Sequence, residues 1–233
     1  MPQLLVSVRN AEEAELACRG GADWIDVKEP HRGSLGAPTR ATVAEVADRI
    51  AGRRPLSVAA GELLDWAAAP RGFAHPAARL AKLGLSGCGR RPGWQSRWGL
   101  AIGQLPPHVQ PVGVVYADVE TAGCPSSDAI ILASRRFRCP TVLVDTYDKT
   151  RGSLLDHWSA AEICRFVRQV QSAGMLAVLA GSLDLAAIDG LRSAAPDLFA
   201  VRGAVCRGGR EGSIDETKVH ELADCVRSSQ IPT

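Results

Sequence analysis

Short runs rich in Val, Ile and Leu alternate along this chain with longer segments rich in Ala, Leu, Glu and Arg, and the alternation occurs eight times. That rhythm constrains the fold more tightly than any single motif. The expected strands are residues 4–8, 24–28, 56–60, 79–85, 111–118, 141–145, 175–180 and 199–205. Helical periodicity predicts helices over 10–19, 39–50, 62–66, 98–103, 126–135, 155–172, 183–192 and 215–227. Strands that alternate with helices need right-handed crossovers, and hence a parallel sheet. Eight of them within 233 residues favour a closed (β/α)8 barrel in one domain, residues 1–233, over an open doubly wound sheet. The pattern is thinnest between the third and fourth strands and over the Gly/Arg-rich stretch 86–98.

Bulk composition excludes several classes of function. A formal charge of +2 gives no electrostatic footprint for nucleic acid. The seven cysteines are scattered and never form a CxxC pair, which argues against a zinc site and a disulfide framework and fits a reducing compartment. An apolar strand begins within three residues of Met1, leaving no room for a signal peptide, and no apolar run approaches membrane-spanning length. The expectation is a cytoplasmic protein that binds neither nucleic acid nor membrane. No dinucleotide fingerprint follows any strand, and the five histidines show no triad or metal-ligand spacing.

Of 27 basic residues only four are lysines: Lys28, Lys82, Lys149 and Lys218. Arginine stays protonated, whereas lysine can lose its proton in a suitable environment, so a lysine in an arginine-using chain suggests chemistry that arginine cannot do. In a (β/α)8 barrel the active site lies at the carboxyl ends of the strands. Lys28 ends the second strand with Asp26 two residues before it, Lys82 lies on the fourth, and Asp145 ends the sixth with Lys149 four residues on. Three of the four lysines therefore converge on one face, while Lys218 reads as a surface residue. Lys28 is the candidate nucleophile, its pKa expected to fall through burial and a nearby cation such as Lys82. The bland reading of Lys28 is an ion-pair partner for Asp26; that of Asp145 and Lys149 is a loop salt bridge. Asp118, at the end of the fifth strand, is either a binding residue or a helix cap.

Phosphate sites in this fold often use the loops after strands seven and eight. Gly181 and Ser182 fall in one and Arg202 and Gly203 in the other, so these four are the candidate phosphate ligands. The loop of Gly33, Ser34, Leu35 and Gly36 reads as a flexible rim over the substrate, and Gly208–Gly209 as a flexible loop. Arg90, Arg91 and Arg97 read as a solvated loop, with a second phosphate or a neighbouring subunit as the alternative.

Several blocks together resemble one family. LLVSVRNAEEAELACRGGADWIDVKEPHRGSLGA, AKLGL, VLVDTYDK, LAGSL and VRGAVCRGG are similar to segments of the (5-formylfuran-3-yl)methyl phosphate synthase family, which makes the furan precursor of methanofuran-type cofactors. The resemblance spans the chain and thins over 61–78 and 86–98. It implies a TIM-barrel lyase that condenses two molecules of glyceraldehyde 3-phosphate with release of phosphate and water. It further implies that Lys28 forms a Schiff base, that Lys82 accepts a proton, and that Asp26, Asp145 and Lys149 complete the catalytic set. No metal and no organic cofactor is implied. The expected partners are a triose phosphate and further copies of the chain. A generic Schiff-base aldolase or isomerase, and a non-catalytic phosphate-binding barrel, are the rival readings.

Overall fold

The structure is a computed structural model and describes residues 1–228. Eight parallel strands close into a barrel in sequence order: β1 (Gln3–Val8), β2 (Trp24–Val27), β3 (Leu56–Glu62), β4 (Ala78–Gly84), β5 (Gln110–Tyr116), β6 (Thr141–Asp145), β7 (Leu176–Leu179) and β8 (Leu198–Val201). β8 pairs with β1 in the register Leu4 to Phe199, so no strand edge is left open. Alternate residues point to opposite sides of each strand. Leu5, Val112, Val114, Leu143, Val178 and Leu198 fill the barrel interior. Val6, Val8, Ile25, Val58, Val142 and Phe199 face outward and pack in the layer beneath the helices.

The helices are α1 (Ala11–Arg19), α2 (Arg40–Ile50), α3 (Trp94–Ile102), α4 (Val119–Ala122), α5 (Ser127–Arg136), α6 (Leu154–His157), α7 (Ala160–Ser172), α8 (Leu185–Leu191) and α9 (Glu216–Arg227). Their N-termini follow side-chain chemistry. Asn10, Thr39, Ser126, Ser159 and Asp184 each accept a hydrogen bond from a first-turn amide. Among the described residues no helix is long and apolar enough to cross a membrane.

Several expected elements differ. The single helix over 155–172 is two, because Ser159 and Glu162 form a capping box that starts α7 anew after Trp158. No α-helix joins β3 to β4: residues 63–65 make one 3-10 turn, and Trp66 stacks on Phe73 to cover that side of the barrel. β8 stops at Val201 and passes into a 3-10 turn, Gly203–Val205. Gly208 and Gly209 take positive φ and help turn a two-stranded hairpin, β9 (Cys206–Arg207) with β10 (Ser213–Ile214). That hairpin carries Arg210 back over the carboxyl end of the barrel.

Candidate active site

The carboxyl ends of β2, β4, β6, β7 and β8 surround a cavity of about 400 Å³, with Lys28, Lys82, Asp145 and Lys149 in its walls. Gly181, Ser182, Arg202 and Gly203 close the opposite side. Asp26 lies beneath, inside the barrel and wholly buried. Asp118 is not in the cavity wall.

The charges pair in a way that leaves one amine free. Lys82 Nζ is 2.5 Å from Asp26 Oδ2, which also accepts a hydrogen bond from Ser7 Oγ at 2.9 Å. Asp26 Oδ1 has no partner in this buried setting. Lys149 Nζ pairs with Asp145 Oδ1 and donates to Thr146 Oγ1 at 3.0 Å. Asp145 also accepts from the Thr146 amide at 2.8 Å and from Ser34 Oγ at 3.1 Å. The bland alternative, an ion pair between Asp26 and Lys28, is not made: strand geometry aims Asp26 at the lysine of β4. Among the described residues, Lys28 Nζ has no hydrogen-bond or ion-pair partner, and Lys28 is half-buried in the cavity wall.

Burial and charge set the state of that amine. Desolvation pushes the Lys28 pKa down to about 7; Asp145 and Asp26 oppose the fall, and the Lys149 and Lys82 cations reinforce it. The larger cationic influence is thus Lys149, not the expected Lys82. Burial would raise the Asp145 carboxyl, but Lys149 and Lys28 beside it hold it below the usual carboxylate value. The arrangement is an amine that is substantially neutral at neutral pH, flanked by two lysines held in ion pairs. Such an amine can attack a carbonyl.

Two expected ligands have other work. Arg202 lines the cavity, yet its five N–H donors are engaged within the protein. Nε donates to Arg210 O at 2.6 Å, Nη1 to Ser7 O and Glu13 Oε2, and Nη2 to Glu13 Oε1 and Gly212 O. It has no donor left for phosphate and instead locks β8 to α1. Asp118 accepts the Tyr147 amide at 2.7 Å and the Asp148 amide at 2.9 Å, so it fixes the loop after β6 and, through it, Lys149. It neither caps α4 with its side chain nor faces the cavity.

The sequence left Arg210 unmarked. Arg210 lines the cavity and makes only long contacts, 3.4 and 3.5 Å, to Gly33 O and Pro30 O, so most of its donors face open space. Ser182 has a left-handed backbone, φ 54°, next to Gly181 at φ 100°; non-glycine residues seldom adopt this conformation. The loop after β2 is not a flexible rim. The one Ser34 hydroxyl proton is shared between Asp145 Oδ2 at 3.1 Å and Thr146 O at 3.0 Å, the Gly61 amide donates to Leu35 O, and the Glu29 amide donates to Gly36 O. A side chain at Gly36 would collide with Glu29 O, which explains the glycine.

Beyond that loop lies a second cavity of about 700 Å³ that shares Leu35, Lys149 and Arg210 with the first. Its wall holds Glu62, whose Oε1 accepts the Tyr116 hydroxyl at 2.5 Å and whose Oε2 accepts the Ser86 amide at 2.9 Å. The sequence signal for this feature was Gly84 in the AKLGL block: any side chain there would strike the Glu62 carboxylate. Among the described residues no group of His, Cys, Asp and Glu is placed to hold a metal ion.

Known proteins bear on both fold and family. Phosphoribosyl anthranilate isomerase from Thermococcus kodakaraensis superposes with a TM-score of 0.64 at 16% identity, covering 98% of this chain and 100% of that one. Thiamine phosphate pyrophosphorylase from Pyrococcus furiosus gives 0.61 at 15% identity, covering 97% of this chain and 95% of that one. At such identities the likeness shows the TIM-barrel fold. Closer relatives are (5-formylfuran-3-yl)methyl phosphate synthases. That of Methanosarcina mazei is 32% identical over 96% of this chain and 99% of its own, and that of Methanopyrus kandleri 31% over 97% and 99%. The 4-HFC-P synthase family model matches residues 4–223. With a family match over nearly the whole length and relatives above 30% identity, the chain belongs to the 4-HFC-P synthase family.

Proposed function

We propose that this protein condenses two molecules of glyceraldehyde 3-phosphate to (5-formylfuran-3-yl)methyl phosphate through a Schiff base on Lys28, in methanofuran-type cofactor biosynthesis. The observation that carries the reading is the unpaired Lys28 amine, with a pKa near 7, between two lysines that ion pairs hold in place. The names of the relatives support the product.

The neutral amine attacks the triose carbonyl, and loss of water leaves a protonated imine. That nitrogen withdraws electrons and acidifies the neighbouring carbon. Lys82, held in place by Asp26, relays the released proton, and expulsion of phosphate follows. The Asp145–Lys149 pair carries protons on the other side of the cavity. The left-handed turn at Gly181–Ser182 and the Arg210 guanidinium hold the phosphate of the Lys28-bound triose until it is expelled. Carbon–carbon bond formation, ring closure and dehydration then give the aromatic furan. Each step draws on the chain's own side chains.

The test is incubation with glyceraldehyde 3-phosphate and borohydride, followed by peptide mass spectrometry and ultraviolet spectroscopy. Reduced adduct on Lys28 with a furan absorbance is expected, and Lys28→Arg should abolish both. Adduct without an aromatic product would mean a generic aldolase; an unmodified Lys28 with Lys28→Arg still active would sink the Schiff base.

A further inference from the structure

The cavity beyond the β2 loop has no part in the steps above, although two phosphorylated molecules must be held at once. Leu35, buried and apolar, stands in the walls of both cavities and divides them. Lys149 and Arg210 border both sides, and Arg32 borders the second alone. Two phosphate groups in one small chamber repel each other strongly. Two chambers that share cations across an apolar divide avoid that repulsion while keeping the bound molecules adjacent.

Glu62 is built into this second wall with some care. The register of β3 on β4 shifts between Ala59 and Glu62, and Gly61 takes φ 83°, which turns the side chain over β4. Gly84 leaves room beneath it, while the Tyr116 hydroxyl and Ser86 amide each hold one oxygen. Each carboxylate oxygen retains a lone-pair direction for a further donor. A carboxylate fixed this way suits a hydroxyl group and rejects a second anion, so the phosphate end of a ligand is directed to the arginines.

We propose that this cavity is the subsite for the second triose phosphate, with its phosphate at Arg32 and Arg210 and its hydroxyl donating to Glu62. The proposal rests on the two-triose reading above and adds where the second molecule binds. Tyr116 is a positioning residue, acting through Glu62.

The experiment fills the first cavity covalently and asks whether a second ligand still binds. Protein reduced with borohydride in the presence of glyceraldehyde 3-phosphate is freed of excess reagent and titrated calorimetrically with glycerol 3-phosphate, which has no carbonyl and cannot form an imine. One equivalent should bind. Arg32→Ala and Glu62→Gln should each weaken that binding about tenfold or more, and Tyr116→Phe should weaken it less, with the yield of Lys28 adduct unchanged in all three. Blocked protein that binds no glycerol 3-phosphate, or binds it equally well in Arg32→Ala and Glu62→Gln, overturns the subsite. If no Lys28 adduct forms, the Schiff-base reading fails instead. Titration of unblocked protein then decides the subsite by whether Glu62→Gln removes one of two equivalents.

Discussion

Lys28 is a costly residue for the fold to keep. Its folded pKa of about 7 lies below the ordinary 10.5, so between these values the unfolded chain binds a proton that the native protein does not. Stability therefore rises with pH across that window, and the full penalty applies below its lower end. Lys28→Met should raise the urea midpoint, with a larger gain at about pH 6 than at about pH 9, while abolishing adduct formation. The same value sets the chemistry: the rate of borohydride trapping should climb as pH rises through about 7 and then level off, as measured by adduct yield at short times. The importance of this residue was legible because lysine is scarce in the chain. The pairing around it was not. Which of two lysines Asp26 meets depends on how β2 sits against β4 across the barrel, and periodicity along one strand does not specify that.

At the scale of elements, the eight strands were readable because both faces of a barrel strand are buried and apolar. The loops carried less signal. Gly33–Gly36 looks flexible by composition, but Ser34, Leu35 and Gly36 are buried and tied to β3 and to the loop after β6. A glycine there marks close approach, not freedom. The loop after β6 depends in turn on Asp118, which satisfies the amides of Tyr147 and Asp148. Asp118→Ala should cost about 1–3 kcal/mol of stability by leaving those donors unpaired. It should also lower product formation more than Lys28 trapping, because it loosens Lys149 and not Lys28. Denaturant titration and the ratio of the two rates check this.

Across the whole molecule, closure of the barrel is reinforced by one buried ionic knot. Arg202 follows β8, Glu13 lies on α1, and Arg9 joins them from the end of β1, with Gly212 of the hairpin accepting from both arginines. Burial alone would raise the Glu13 carboxyl, but Arg202 and Arg9 hold it low. Its members lie 189 residues apart in sequence for Arg202 and Glu13, so no local pattern announces it. Glu13→Gln leaves the buried Arg202 charge uncompensated, which should cost about 3–5 kcal/mol, read from a urea transition. The hairpin that bears Arg210 should lose order with it, visible as faster amide exchange over residues 206–214.

The chain's preference for arginine has a practical consequence for anyone who modifies this protein. The sequence carries four lysines and so four side-chain primary amines. Lys82 and Lys149 are in ion pairs, and Lys218 donates to Cys206 O at 2.9 Å. Lys28 is the lysine that combines a free electron pair near neutrality with an open path, so a small acylating reagent used sparingly should mark it ahead of the other lysines. Peptide mapping would then give an active-site count from an ordinary labelling reagent, with no need for substrate.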